Sequence, residues 1–133
     1  MAKLRDWQSR LQACLAERCA RDFAWGSHDC CLLPADAVLA MTGRDPAEHL
    51  RGYATEREAL RIVADHGGMK ALIASCAGDE ISPLQAQVGD VGLAMVNGRE
   101  TAVLCGGSHW IAPAARGMAS LPMDAAVAAW RCE

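Results

Sequence analysis

The spacing of hydrophobic residues predicts helices in the first part of the chain. In residues 3–20, apolar side chains recur at three- and four-residue steps with arginine, glutamine and glutamate between them. This is the pattern of an amphipathic helix. Residues 22–28 break the period and predict a loop. A second helix is expected to begin near Asp29 or Cys30 and to end at Gly43, a residue type suited to a helix C-cap.

Two further helices are predicted after a polar connection at residues 44–54. Thr55 and Glu58 have the spacing of a capping box, which marks the first turn of a helix. We expect this third helix to end at the glycine pair 67–68. A short fourth helix should follow at residues 69–76.

The character of the chain changes after Pro83, where small and β-branched residues predict strands. The pair Asn97 and Gly98 is a strong signal for a two-residue hairpin turn. The predicted extended segments are residues 88–96, 101–105, 109–112, 117–121 and 126–132. The expected fold class is therefore α+β, with N-terminal helices packed on a C-terminal antiparallel β-meander.

Composition restricts the class of protein. The chain has 133 residues, of which 52% are hydrophobic and 22% charged, with a net charge of -3. These values predict one globular domain over residues 1–133, with no nucleic acid among its partners because no block of lysine and arginine is present. No apolar run approaches the roughly 18 residues of a membrane span. The first residues are charged rather than apolar, so we expect no secretory signal and a cytoplasmic location after synthesis.

Seven cysteines are many for a chain of this length. Their number is odd and no pair is separated by two residues, which argues against a disulfide framework and against the usual zinc and iron–sulfur spacings. We expect reduced thiols that mostly act as small buried apolar groups. No cofactor is predicted.

The most informative local feature is the pair Asp29 and Cys30 at the start of the second helix. Unpaired backbone N–H groups and the helix dipole at this position favour a thiolate, which is the nucleophilic form of cysteine. The alternative interpretation is structural: Asp29 is an N-cap, and Cys30 and Cys31 are small residues that begin a buried helix.

Three motifs follow one another in a recognisable order: the loop at residues 23–26 (Phe-Ala-Trp-Gly), Asp29 with Cys30, and residues 89–91 (Gly-Asp-Val). Together they resemble the NlpC-type branch of the papain-like cysteine peptidases over roughly residues 20–113. Further stretches resemble small phage-encoded tail proteins more than secreted wall hydrolases. These stretches are residues 42–46, 51–53 and 129–131.

The resemblance implies that Cys30 matches the catalytic nucleophile of the family. Phe23 falls where the family often has a tyrosine, and Thr101 begins the strand on which the family carries its general-base histidine. Cysteine peptidases need an imidazole beside the sulfur, to hold the thiolate and to protonate the leaving amine. Thr101 can do neither, so we expect a papain-like domain that has lost or nearly lost peptidase activity.

Other histidines are candidates for the missing base. His109 lies in the next predicted strand, and His28 precedes Cys30 by two residues. His49 and His66 are expected in solvated or capping positions. A metal site made from the vicinal cysteines with His28 and His109 is disfavoured, because neighbouring cysteines rarely chelate one tetrahedral ion without strain.

The function expected from the resemblance is that of a tail-tip structural or assembly protein of a phage, with other tail-tip proteins as partners. Such a protein would be found in the host cytoplasm during assembly and then in the virion tail. The alternative is an active cysteine amidase or endopeptidase that cleaves peptidoglycan peptides during genome entry, with Cys30 as nucleophile and His109 or His28 as base. A host thiol enzyme is a third possibility, for which no resolving cysteine is in place.

Overall fold

The computed structural model describes residues 2–132, which form an α+β domain as the sequence predicts. Four α-helices come first along the chain: α1 (Trp7–Arg18), α2 (Leu32–Thr42), α3 (Glu56–Asp65) and α4 (Met69–Cys76). The strands are β1 (Glu80–Ile81), β2 (Val91–Val96), β3 (Arg99–Cys105), β4 (His109–Pro113), β5 (Met118–Pro122) and β6 (Ala126–Trp130). None of these helices is long and apolar enough to cross a membrane.

The local helix signals are confirmed. Gly43 ends α2 in the left-handed conformation at φ +78°, and its N–H donates to the carbonyl of Leu39. Thr55 caps α3, because its hydroxyl oxygen accepts a 3.2 Å hydrogen bond from the N–H of Glu58. The predicted starts were less accurate: α1 begins at Trp7 rather than near residue 3, and α2 begins at Leu32.

All six strands form one antiparallel sheet in the order β1-β6-β2-β3-β4-β5. The hairpin between β2 and β3 has the predicted turn, with Asn97 and Gly98 both at positive φ. Strands β2 to β5 are a meander, as expected. The last strand departs from it, because β6 returns to the other side of β2 and pairs with both β1 and β2.

Each face of the sheet carries a cluster of buried apolar residues. One face packs against α2 and α4 and forms the main core, with Leu93, Leu104 and Trp130 almost fully buried. The other face is covered by Trp110, which has no exposed surface. A Cβ on Gly92 would lie 2.7 Å from the Trp110 ring, so the glycine gives the indole room to lie on the sheet.

Candidate functional site

The turn before α2 is organised around the buried carboxylate of Asp29. Its Oδ1 accepts hydrogen bonds from the N–H groups of Cys31 and Leu32, both at 2.9 Å. Its Oδ2 accepts from the N–H of Gly26 at 2.8 Å and from the hydroxyl of Tyr53 at 2.6 Å. Four donors satisfy this fully buried group, and two of them are otherwise unpaired N–H groups at the start of a helix. Asp29 thus acts as the helix cap.

Gly26 has a backbone reason to be glycine. Its φ is +84°, and a Cβ at this position would collide with the backbone carbonyl of Tyr53. The glycine therefore lets the loop before α2 lie directly against the backbone near Tyr53. Residues 25–26 (Trp-Gly) and residues 52–53 (Gly-Tyr) therefore form one structural unit around Asp29.

The two vicinal thiols lie in a cleft of about 140 Å³ between the turn, α3 and the start of β3. Cys30 is buried and Cys31 is half-buried. The cleft is lined by Trp25, Cys30, Cys31, Ala59, Leu60, Val63, Met69, Arg99 and Glu100. Its polar side chains are thus Arg99 and Glu100 together with the thiols, and no histidine lines it.

The electrostatics favour ionisation of one thiol of the pair. A hydrogen bond from the Cys31 thiol lowers the pKa of Cys30, and the positive charge of Arg99 also lowers it. Burial and the negative charge of Asp29 act in the opposite direction. The same hydrogen bond, followed by burial, raises the pKa of Cys31. Burial and the neighbouring Asp29 carboxylate raise the pKa of Tyr53, which therefore stays a hydrogen-bond donor. Of the two thiols, Cys30 is therefore the one whose ionisation the surroundings favour.

His28, a candidate base, is fully buried and has both ring nitrogens engaged elsewhere. Its Nε2 lies 2.7 Å from the carbonyl oxygen of Gly117, and its Nδ1 lies 3.0 Å from Nη1 of Arg18. A carbonyl can only accept and a guanidinium can only donate, so the ring proton is assigned to Nε2 and the Nδ1 lone pair faces Arg18. His28 links α1 to the loop before β5 and has no free nitrogen for a thiol.

His109, the other candidate base, lies at the opposite end of the sheet. Its ring packs over Gly106, which follows the last residue of β3, whereas Cys30 lies beside Arg99, the first residue of β3. At about 3.3 Å per strand residue these positions are roughly 20 Å apart. The structure therefore does not bring His109 and Cys30 together.

The two remaining histidines lie near the C-terminal end of α3. His66 follows the last helical residue, and its Nδ1–H donates to the carbonyl of Ile62 at 2.8 Å. The ring of His49 lies 6.3 Å from that of His66. His66 thus has the capping position expected for it, and neither residue lines the cleft with Cys30.

The positions where the family resemblance expects other catalytic groups are occupied by structural side chains. Phe23 packs edge-on against Trp25, with ring centroids 5.0 Å apart. Thr101 is buried at the start of β3, and its hydroxyl donates to the carbonyl of Arg99. A hydroxyl is present on this turn: Tyr53, a residue that sequence reasoning did not assign to the site, donates to Asp29.

Asp90 of the Gly-Asp-Val motif joins the start of β2 to the end of the chain. Its carboxylate accepts 2.9 Å hydrogen bonds from the N–H groups of Gln87 and Cys132, and Arg131 lies 3.4 Å away. Asp90 is fully buried. This motif is therefore part of the framework of the sheet and does not contact the thiol cleft.

A chain of charges beneath α2 explains two other stretches singled out in the sequence. The buried guanidinium of Arg18 contacts Asp36, which also accepts a 2.6 Å hydrogen bond from Arg51. Arg51 in turn donates to both carboxylate oxygens of Asp45. Burial lowers the pKa of Arg18, as expected for a cation removed from water. The stretches at residues 42–46 and 51–53 hold α2 in place.

No group of three or more histidine, cysteine, aspartate or glutamate side chains within residues 2–132 is arranged to hold a metal ion. The profile of a family described as a domain of unknown function, DUF6950, matches the chain over residues 2–132. No curated protein and no solved structure matches the chain.

Proposed function

We propose that this chain, which belongs to the DUF6950 family, is a structural or assembly subunit of a phage tail tip. In this proposal the domain has a papain-like NlpC-type fold that no longer cleaves peptides. The observation that supports the loss of activity is the cleft around Cys30, which has a thiol at the start of a buried helix but no histidine in its lining.

Amide cleavage by cysteine requires more than an ionised sulfur. The leaving amine must be protonated, and an imidazole next to the sulfur normally supplies that proton. His28 is held by Arg18 and Gly117, and His109 lies over Gly106, seven residues along the chain from the Arg99 that lines the cleft. A thiolate without this partner can be modified by an electrophile, but it lacks the acid needed to expel an amine.

The rest of the turn supports a structural role for the motif residues. The N–H of Gly26 and the hydroxyl of Tyr53 both donate hydrogen bonds to the carboxylate of Asp29. The cleft between this turn and β3 is small. In the proposal the chain is made in the host cytoplasm, joins other tail-tip proteins during assembly, and remains in the virion tail. The basis for this assignment is the resemblance of the three motifs to the NlpC-type branch, together with the stretches at residues 42–46, 51–53 and 129–131, which resemble small phage-encoded tail proteins.

The test is genetic complementation in a phage that carries this gene. Deletion of the gene should prevent the formation of complete tails, and a plasmid copy should restore it. Cys30→Ala should restore particle assembly and infectivity to the wild-type level. Cys19→Ala is the matched control, since Cys19 is exposed on another part of the chain. Normal incorporation of Cys30→Ala with loss of infectious particles would contradict the structural role.

A second candidate function is an active cysteine amidase acting on peptidoglycan peptides, which the lowered pKa of Cys30 favours. Purified protein is incubated with peptidoglycan fragments, and the release of new amino groups is measured against Cys30→Ala. Cleavage that depends on Cys30 would establish this second function and overturn the first. An equal background for both proteins would exclude it.

A further inference from the structure

The thiols of two consecutive residues, Cys30 and Cys31, share one small cleft. Both residues line the cleft of about 140 Å³ beside α3, and the Cys31 thiol donates a hydrogen bond to the sulfur of Cys30. Cys30 is only 8% exposed, so a reactant reaches its sulfur through this cleft. The small volume of the cleft restricts such a reactant to a small molecule.

The cation that lines the cleft, Arg99, is held beside the thiols by two contacts. Its guanidinium donates a 2.6 Å hydrogen bond to the carboxylate of Glu56 and lies 5.8 Å from the centre of the Trp25 ring, which also lines the cleft. A cation beside a thiol favours the thiolate. Glu100 lines the cleft as well. With one charge of each sign in the lining, the cleft favours neither an anionic nor a cationic reactant over an uncharged one.

The leaving group decides what a thiolate can attack without a neighbouring imidazole. An amine must receive a proton before it can leave, and the residues that line the cleft include no histidine to supply one. A sulfur leaving group needs no such acid, because an ordinary thiol has a pKa of about 8.5 and leaves as the thiolate. Exchange with a disulfide therefore requires only an ionised sulfur and access to it, and the cleft provides both.

From this arrangement we propose that Cys30 is a site of thiol–disulfide exchange with small uncharged disulfides. The Cys30 thiolate attacks one sulfur of the disulfide and forms a new S–S bond to it. The original S–S bond breaks, and the second sulfur leaves as a thiolate that takes a proton from water. The disulfide is itself the oxidant, so no other co-reactant is needed. The site is independent of the proposed tail function, because the exchange requires no tail partner.

The mixed disulfide on Cys30 should persist, because Cys31 is badly placed to displace it. Consecutive Cα atoms are about 3.8 Å apart across a trans peptide, whereas disulfides usually join Cα atoms roughly 4.4–6.8 Å apart. The N–H of Cys31 is also fixed by its 2.9 Å hydrogen bond to Asp29. A bond between the two cysteines would strain this turn. We therefore expect one adduct on Cys30 and no disulfide between Cys30 and Cys31.

The first test uses bis(hydroxyethyl) disulfide as the probe, in excess over the folded wild-type protein at pH 7. Peptide mapping by mass spectrometry should find the hydroxyethylthio group on Cys30 and an unmodified Cys31. Cys19 is exposed and serves as the internal reference for the reagent. Modification of Cys19 without modification of Cys30 would overturn the proposal. A disulfide between Cys30 and Cys31, or an adduct on Cys31 instead, would overturn it as well.

The second test removes the cation of the cleft. Arg99→Gln should slow the exchange at Cys30 by about threefold for a tenfold loss of thiolate, because the remaining thiolate becomes intrinsically more nucleophilic. The rate at Cys19 in the same molecule should not change. Arg10→Gln is the matched control, since Arg10 is an exposed arginine that pairs with a carboxylate outside the cleft. An exchange rate at Cys30 that is equal in wild type and Arg99→Gln would overturn the proposal that this cleft activates the thiol.

Discussion

The hydroxyl of Tyr53 donates a 2.6 Å hydrogen bond to the buried carboxylate of Asp29, and this contact connects the loop after α2 to the turn before it. The two residues are 24 positions apart in sequence. Asp29 also caps α2. The position at which α2 begins therefore depends on Tyr53, which follows the end of the same helix. The thiols of Cys30 and Cys31 are carried on the turn that this bond fixes.

We predict that Tyr53→Phe destabilises the protein by about 1.5–3 kcal/mol, the range for a hydrogen bond to a charged group. The ring keeps its packing, so the loss reports the hydroxyl alone. Urea unfolding of Tyr53→Phe, Asp29→Asn and the double variant would give the coupling energy between the two residues. Strict additivity of the two single effects would show that the bond contributes nothing.

His28→Gln should destabilise the fold strongly without acting through the thiol. The substitution disturbs the partners of both the buried Arg18 guanidinium and the Gly117 carbonyl, and each buried group left unpaired costs about 1–3 kcal/mol. We expect a loss of about 2–5 kcal/mol in urea unfolding. His109→Gln is the comparison, with a change within about 0.5 kcal/mol for a half-exposed residue. Full stability of His28→Gln with a loss of Cys30 reactivity would instead identify His28 as a base.

The parts of the fold that local sequence signals encode could be predicted. Asn97 with Gly98, Thr55 with Glu58, and Gly43 each act within a few residues, so hairpin, cap and helix end are readable from the chain alone. The return of β6 to β2 was not predictable in this way. Its pairing joins residues more than 30 positions apart, and no local pattern specifies which edge the last strand will choose.

The candidate site was predictable to a similar extent. The cap role of Asp29 is local, and it was one of the two interpretations that the sequence left open. The role of His28 depends on Gly117, 89 residues away, and therefore could not be inferred from its position two residues before Cys30. Arg99 lies beside the thiols because of the way the strands of the sheet pair. Tyr53 lies at this turn because of the path of the loop after α2.

The alkylation of Cys30 should have an unusual pH dependence. Its pKa is lowered by the hydrogen bond from Cys31, so the midpoint of its rate profile should lie below that of the same thiol without this hydrogen bond. The rate should fall tenfold per pH unit below that midpoint. Cys105 and Cys132, whose pKa values are raised by burial, should react more slowly.

Cys31→Ala is the control for this profile, because it removes the hydrogen bond and should shift the Cys30 midpoint upward. Mass spectrometry of protein labelled with iodoacetamide distinguishes the sites. A Cys30 midpoint that is the same in the wild-type protein and in Cys31→Ala would contradict the hydrogen bond from Cys31 as the cause of the lowered pKa.

Because of the ion pair between Arg51 and Asp45, part of the free energy of unfolding should be lost at acid pH. Arg51 donates to Asp45 and lowers the pKa of that carboxyl. A group with a lowered pKa contributes fully above its unfolded value, about 3.9 for aspartate, and its contribution disappears as the pH falls through the folded pKa. Arg51→Ala should therefore cost about 1–3 kcal/mol at pH 7, since a charge-assisted pair is removed.

The same substitution should cost progressively less as the pH falls below the unfolded value, because protonation of Asp45 removes its pair with Arg51. Urea unfolding of wild type and Arg51→Ala across the range from neutral to about pH 3 would measure this convergence. Arg57→Ala, at an exposed position of α3, should show no such pH dependence. A constant difference between wild type and Arg51→Ala at all pH values would mean that Arg51 stabilises the loop by packing or through Asp36 rather than through the Asp45 carboxylate.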